Sequence, residues 1–341
     1  MRIFLISGVI IMALGLAACH KMDMLKINYP AAYVVNGQGN DIDVINLNDN
    51  SHADHISLNG ATFPHHVYIS PDKSKLAVAI TSTDLSAGHS GHGSATGGLK
   101  VQIIDATTGM IDKEIAVSKM PHNAIFNPAN TELWLGQMDT IQSQVLVYNT
   151  SDWTLKNTIN VGKGLSEVTF SADGTTVFAA NTMDGTVSLI DPNSKTVHTT
   201  LTVGQDPVGA WAASNGNMYV DNEMSQTVSE ISVAGKNVTQ TIDLGYKPGY
   251  VAYNMLNGEL WVTDATNGKV VYYTSVAGVW TMQGSIVTGT DAHAIVFTQD
   301  GKKAYITNQG ANTVSVIDVV SHVVSTTITV GAKPNGISLK E

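Results

Sequence analysis

Hydrophobic and polar residues alternate along most of this chain, in short segments separated by turn residues. The segments are rich in Val, Ile and Thr, which predicts β-strands rather than helices. One phrase returns about every 42 residues: an apolar strand that ends in Asn or Asp and leads into a turn. Its copies are Tyr33-Val34-Val35-Asn36, Val177-Phe178-Ala179-Ala180-Asn181, Met218-Tyr219-Val220-Asp221-Asn222, Leu260-Trp261-Val262-Thr263-Asp264 and Ala304-Tyr305-Ile306-Thr307-Asn308. A fixed period of this length indicates an array of small units that bury their faces against one another.

Each unit begins with a short apolar strand. The seven starts are Pro64-His65-His66, Pro121-His122-Asn123, Leu165-Ser166-Glu167, Pro207-Val208-Gly209, Pro248-Gly249-Tyr250, Ala292-His293-Ala294 and Pro334-Asn335-Gly336. Successive starts are 57, 44, 42, 41, 44 and 42 residues apart. The last start has nothing after its own strand, whereas residues 31–60 hold three strands with no first strand before them. The two fragments complete one unit if the chain closes into a ring, which also removes exposed sheet edges.

We therefore predict an all-β fold, a seven-bladed β-propeller with four-stranded antiparallel blades, closed by the C-terminal strand joining the N-terminal blade. The repeated phrase resembles the YVTN-type propeller repeat of bacterial surface-layer-like and periplasmic proteins, over residues 30–341. That resemblance implies the fold and says little about function, because propellers host many unrelated activities.

The N-terminal residues have the pattern of a targeting segment. Arg2 precedes an apolar run from Ile3 to Leu16, which is shorter than a membrane-spanning helix requires. The run ends Leu16-Ala17-Ala18-Cys19, which resembles the bacterial lipobox and implies lipidation of Cys19, the only cysteine. The alternative is an ordinary signal peptide with a chance cysteine.

We thus expect a lipoprotein signal peptide at residues 1–18, the lipidated Cys19 and a tether at 19–30, and the propeller at 31–341. The expected location is the cell envelope, with the lipid in the outer membrane and the propeller facing the periplasm, since His20 is not the Asp that retains some lipoproteins at the inner membrane. The formal net charge of −10, without a basic stripe, argues against nucleic acid as a partner.

Six of the eleven histidines are predicted to share one face of the ring. In a four-stranded meander, the entry to the first strand and the link from second to third strand lie on the same side. The entry turns carry His65, His66, His122 and His293. A long Gly/Ser-rich link at residues 82–98 carries His89 and His92. Methionines follow at equivalent links or beside an entry turn: Met120, Met138, Met183 and Met224.

This grouping predicts a metal or cofactor site at the mouth of the central channel. Imidazole binds Zn, Cu, Fe and Ni, and thioether selects Cu(I), so a His/Met mixture points to copper ahead of zinc or haem. Structural zinc is usually held by closely spaced Cys and His, and no such spacing occurs here. The alternative is a polar rim that contacts water, a small ligand or a protein partner.

Seven-bladed propellers similar to this one include the haem-carrying propeller of a nitrite reductase and the copper-cluster propeller of nitrous oxide reductase. The resemblance implies only an axial histidine site, because Ser166, Val208 and Gly249 occupy other equivalent positions and no Cys-x-x-Cys-His motif is present. No catalytic motif occurs, and Glu167 is interpreted as a lining group.

We expect a binding or scaffold module with a ligand or metal site on its His-rich face. The alternatives are a copper- or haem-associated redox or metal-handling protein and, on fold analogy alone, a lactonase-type hydrolase.

Overall fold

Strands account for nearly all the regular structure of the computed structural model, which describes residues 24–86 and 98–341. They form seven four-stranded antiparallel sheets, with one short 3-10 helix at Thr182–Asp184. Within the described residues, no helix has the length and hydrophobicity needed to cross a bilayer.

The sheets are the blades of a propeller, numbered here from the blade that contains both ends of the chain. From blade one to blade seven, the innermost strands are Pro334–Lys340 (β28), Pro64–Ile69 (β4), Pro121–Phe126 (β8), Leu165–Phe170 (β12), Pro207–Ala212 (β16), Pro248–Asn254 (β20) and Ala292–Phe297 (β24). The second strands are Ala31–Asn36 (β1), Lys75–Ile80 (β5), Glu132–Gln137 (β9), Val177–Asn181 (β13), Asn217–Asn222 (β17), Glu259–Asp264 (β21) and Lys303–Asn308 (β25).

The outer halves of the blades follow the same order. The third strands are Asp41–Asn46 (β2), Lys100–Asp105 (β6), Gln144–Asn149 (β10), Thr186–Asp191 (β14), Thr227–Ser232 (β18), Lys269–Val276 (β22) and Thr313–Asp318 (β26). The outermost strands are Ser51–Ser57 (β3), Ile111–Ala116 (β7), Leu155–Asn160 (β11), Thr196–Thr202 (β15), Asn237–Asp243 (β19), Val279–Val287 (β23) and Val323–Thr329 (β27). The seven-bladed all-β prediction is confirmed.

The core is a set of apolar layers, one between each pair of neighbouring blades. Second strands are buried on both faces, whereas outermost strands such as β15 are mostly exposed. This gradient follows from the ring, because an inner strand has a blade on either side and an outermost strand meets water. Apolar side chains of successive blades exclude water from these layers, and such burial is the main driving force of folding.

The ring closes through the two ends of the chain. β28 pairs antiparallel with β1, with Val34 opposite Ile337 and Ala32 opposite Leu339. The side chain of Ser338 also donates a hydrogen bond of 2.7 Å to the Val67 carbonyl of blade two. Blade one is therefore both completed and joined to its neighbour by the last residues, as the repeat pattern predicted.

The asparagine of the repeated phrase has a structural role. In blade seven, Asn308 donates hydrogen bonds to Thr313 Oγ1 at 3.0 Å and to Ser315 Oγ at 2.9 Å. Asn181 and Asn222 repeat this arrangement in blades four and five. Because these groups are buried, the amide satisfies hydroxyls that would otherwise lose their partners on folding.

The two sides of the ring are defined by the strand links. The entry face carries the turns into the innermost strands and the links from second to third strands, and the opposite face carries the other turns. The described residues before β1, 24–30, lie on the opposite face, because the Ile27 amide donates to the Thr107 carbonyl at 2.8 Å in the β6–β7 turn. Ile27 is fully buried there, so the chain joins the ring on the side away from the entry turns.

Removal of residues 334–341 should abolish cooperative folding. The deletion exposes the edge of β1 and removes Ile337 and Leu339 from the layer between blades seven and one. Thermal unfolding by circular dichroism, with size-exclusion chromatography, measures the effect. Deletion of the exposed Glu341 alone is the control. A shortened chain with the wild-type melting temperature and elution volume would contradict ring closure as the main constraint.

Candidate metal centre

A β-bulge at the start of the innermost strand allows consecutive side chains to reach one place. In blade two, Pro64 pairs with Ile80 and Val67 with Val78, so that His65 and His66 together face Ala79. Consecutive residues of a regular strand point to opposite faces of the sheet. A bulge breaks that alternation and re-aims side chains, and here both imidazoles join one cluster. The same register shift precedes Ala124 in blade three and Glu167 in blade four.

The three histidines of blades two and three form a compact cluster. One ring nitrogen each from His65, His66 and His122 lie within 4.8 Å of one another. The centroid of the His65 ring is 4.3 Å from each of the other two ring centroids, and those two are 5.0 Å apart. All three side chains are buried, with at most 5% of each residue exposed. The structure thus gathers these three predicted residues into one metal-sized group.

Glu167 of blade four completes the cluster. Its Oε2 lies 3.7 Å from His66 Nε2 and 3.6 Å from His122 Nδ1. The other oxygen, Oε1, accepts hydrogen bonds from the Tyr68 hydroxyl at 2.6 Å and from the Asn123 amide. The Thr169 hydroxyl also favours the charged form of this carboxyl. One carboxylate oxygen is therefore fixed by its neighbours, and the other faces two imidazoles.

Burial controls the electrostatics of this carboxylate. Glu167 is completely buried, and desolvation raises its pKa well above the ordinary value, although the hydrogen bond from Tyr68 acts in the opposite direction. Desolvation also raises the pKa of Tyr68, and the nearby Glu167 adds to that effect. Tyr68 is thus a neutral hydrogen-bond donor at neutral pH. A cation between the imidazoles and Oε2 would offset the cost of the buried charge.

Asn123 links the cluster to the wall of the ring. Its side-chain amide donates to the Val168 carbonyl at 2.8 Å, and its carbonyl oxygen accepts from the Val168 amide at 3.1 Å. The amide also donates to Glu167. One side chain of blade three therefore holds the backbone and the carboxylate of blade four in register with the histidines.

The described part of the blade-two link crosses the entry face. Leu85 packs with Met120 and Met138 of blade three, and Leu99 contacts the same apolar group. Met183 and Met224 are 48% and 67% exposed. The four methionines are thus placed in two settings, an apolar contact under the link and the exposed rim. Thioether ligation stays a prediction.

His293 lies in a different part of the entry face. It lines a pocket of about 260 Å³ between blades five, six and seven, together with Asp291 and Gln309. Burial raises the pKa of Asp291, and Lys333 and Lys247 act against that shift. Leu85 of the crossing link reaches the same pocket. His293 is outside the three-histidine group, and its role as a ligand remains a prediction.

Three predicted positions, Cys19, His89 and His92, lie outside the described residues, so their roles also stay predictions. Sequence reasoning identified Glu167 only as a lining group and overlooked Tyr68. A signal for both was present: Glu167 holds the entry position occupied by His66 and Asn123 in the preceding blades, and Tyr68 follows His66 by two residues.

The fold defines the class of the protein as a seven-bladed β-propeller. No protein-family model matches the sequence, and no curated protein matches it. Among solved structures, the periplasmic gluconolactonase of Pseudomonas aeruginosa is similar with a TM-score of 0.72 and 16% identity, covering 92% of this chain and 99% of that one.

Two further solved structures are also similar. The hydrazine synthase of Kuenenia stuttgartiensis gives a TM-score of 0.66 at 18% identity and covers 80% of this chain and 88% of that chain. The dihydro-haem d1 dehydrogenase NirN, solved in complex with DHE, gives 0.65 at 12% identity and covers 90% and 74%. At these identities the likeness concerns the fold alone, so function has to be argued from the site.

Proposed function

We propose that this protein is a metal-binding propeller of the cell envelope, with one ion held at its axis by His65, His66, His122 and Glu167. The observation that carries the proposal is the convergence of three ring nitrogens within 4.8 Å, beside a carboxylate oxygen that lies 3.7 Å from a nitrogen of His66 and 3.6 Å from one of His122. A cation held there by the imidazoles would also be paired with the buried carboxylate of Glu167.

The distances suit a small ion. Two ligand atoms that each lie about 2.1 Å from one ion are about 3.4 Å apart in tetrahedral geometry. The measured separations of 3.6 and 3.7 Å between Glu167 Oε2 and two imidazole nitrogens are close to that value. The three imidazole nitrogens lie within 4.8 Å of one another, so the widest pair has to approach by up to about 1.4 Å, which rotation of the rings has to supply.

The donor set narrows the choice of metal. Three imidazoles and one carboxylate suit Cu(II), Zn(II), Fe(II) or Ni(II). The sequence favoured copper over zinc because methionine thioethers were predicted beside the histidines. In the structure, Met120 and Met138 pack against Leu85 in an apolar group, so the preference has to rest on the other ligands. The affinity order for divalent ions still places Cu(II) above Zn(II), so copper remains the first candidate and zinc the second.

Burial favours binding over catalysis. With Glu167 as the fourth ligand, the site is closed, as in structural zinc centres, whereas catalytic sites keep a position open for water or substrate. A haem needs an open slot beside its axial ligand, and here the three imidazoles pack ring against ring. A lactonase-type hydrolase, such as the similar gluconolactonase, needs a substrate in contact with its site, and these side chains are almost inaccessible.

The N-terminal residues suggest how the propeller is attached to the membrane. Lipid on Cys19 would attach the protein shortly before Ile27, which packs on the face opposite the entry turns. The His-rich entry face would then point away from the membrane. Such a lipoprotein carries several acyl chains, and more than one chain makes attachment stable.

Metal loading tests the proposed site. We expect the purified protein to retain one equivalent of Cu(II) or Zn(II) after incubation and exhaustive dialysis, measured by elemental analysis. The double variant His65→Ala/His122→Ala should lose this equivalent because only one imidazole and one carboxylate remain. His198→Ala, which removes an exposed histidine on β15, is the matched control and should retain the ion.

Thermal melts of each variant establish that the ring is folded. Equal metal content in the wild type and the folded double variant would refute the site, as would a wild type that retains neither ion. Glu167→Gln keeps the shape of the side chain and removes its charge. Weaker retention of the metal in that variant would identify the carboxylate as a ligand.

Replacement of Cys19 tests the anchor separately. In a bacterial host, Cys19→Ser should move the protein from the membrane fraction to the soluble periplasmic fraction and abolish incorporation of labelled fatty acid. The sequence offers no other cysteine for acylation. A variant that still sediments with membranes and carries the label would contradict lipid attachment at this position.

A further inference from the structure

The outer hairpin of blade six departs from the repeat. Its strands β22 and β23 have eight and nine residues, whereas the third and outermost strands of the other blades have six or seven. The turn at Ala277 and Gly278 has positive φ at both residues, as a tight two-residue hairpin requires. Val276 and Val279 on either side are 66% and 56% exposed. The extension projects from the opposite face and adds Trp280 to the groove beside blade five.

A pocket of about 350 Å³ lies under this hairpin, between blades five and six. Its aromatic wall is formed by Tyr219, Tyr253 and Trp280. The two tyrosine rings are nearly parallel, with centroids 6.3 Å apart, and Trp280 meets Tyr219 edge-on at 5.9 Å. A pocket of a few hundred cubic ångströms with aromatic walls and a few polar groups is typical of a small-ligand site.

Glu230 fixes the tryptophan across the blade boundary. Its Oε2 accepts a hydrogen bond of 2.6 Å from Trp280 Nε1, and its Oε1 accepts one of 2.8 Å from Asn217. Asn215 donates to the Tyr219 hydroxyl at 2.9 Å. Tyr219 and Trp280 are thus each positioned by a polar neighbour, and the indole cannot turn away without losing a charge-assisted hydrogen bond.

The remaining lining is uncharged and rich in hydrogen-bonding groups. It includes Asn257, Thr274 and Ser275, and none of the described lining residues is cationic. Amides and hydroxyls both donate and accept, so they match ligands that carry many hydroxyl groups. Without a cation, and with the Glu230 carboxylate present, the pocket disfavours phosphates and carboxylates.

We propose that this pocket binds a neutral pyranose unit of a glycan. A pyranose has an apolar face of C–H groups that packs on an aromatic ring, and an equatorial rim of hydroxyls that needs mixed donors and acceptors. The aromatic wall and the amide and hydroxyl rim provide both. The pocket lies on the face opposite the histidine cluster, so the glycan site is independent of metal binding.

Calorimetry on the full protein with cellotriose, maltotriose and triacetylchitotriose as probes tests the proposal. We expect at least one trisaccharide to bind, and Trp280→Ala to weaken that binding by about tenfold or more, as for an aromatic anchor. Trp153→Ala is the matched control, because Trp153 is also a partly buried tryptophan. It lies in a turn of blade three, on the same face of the ring as the pocket. This variant should leave affinity unchanged.

Trp280→Phe guards against a folding defect. It keeps a six-membered ring against Tyr219 and removes the pyrrole ring with the N–H that donates to Glu230, so an intermediate affinity is expected. Circular dichroism verifies that each variant is folded. The proposal fails if none of the three sugars binds at about 10 mM, or if a bound sugar is insensitive to both Trp280 substitutions.

Discussion

The pairing of β28 with β1 is the contact on which the rest of this molecule depends. A single blade has two apolar faces, and neither can be buried except against another blade. Seven apolar layers are complete only when the last blade meets the first, and the final strand supplies Ile337 and Leu339 to the layer that finishes the ring. The long sequence separation makes this contact entropically costly to form, and burial of all the other layers offsets that cost.

Ring closure also creates the candidate metal centre. His65, His122 and Glu167 belong to three blades, and their separation in space is set by the angle between neighbouring innermost strands. In a regular strand, some of these side chains would point into the blade interfaces. The bulge at the entry of the innermost strand turns them towards the axis instead. The result is a buried polar cluster inside an apolar scaffold. An ion suits this cluster because it would be held by three imidazoles and would also be paired with the buried Glu167 carboxylate.

Each face of the ring carries one insertion that breaks the repeat, a long link on the entry face and a long hairpin on the opposite face. On the entry face, Leu85 in the described start of the blade-two link contacts blade three and lines a pocket shared by blades five to seven. On the opposite face, the long hairpin of blade six brings Trp280 over the boundary with blade five. The uniform blades provide a stable frame because they match the repeat, and the insertions provide the individual surfaces.

The fold could be predicted from the sequence because its information is periodic. The Asn of the repeated phrase, the Pro at the blade entries and the incomplete first unit together determine the blade number and the closure. The residues that form the site could be predicted from the sequence only in part. Equivalence of positions placed His65, His66, His122 and His293 at the entry turns, and three of the four share the cluster. Strand alternation alone would separate His65 from His66, and the bulge brings them together. Glu167 is related to His66 by the repeat and Tyr68 by strand alternation, but the contacts between blades that bring both into the cluster are seen only in the structure.

Anomalous diffraction from crystals grown with Cu(II) or Zn(II) tests the central claim most directly. The account predicts a strong peak at the axis, about 2.0 to 2.2 Å from a nitrogen of His65, His66 and His122 and from an oxygen of Glu167. A map in which the axial cluster carries no peak, while metal occupies only surface histidines such as His55 and His198, would contradict it.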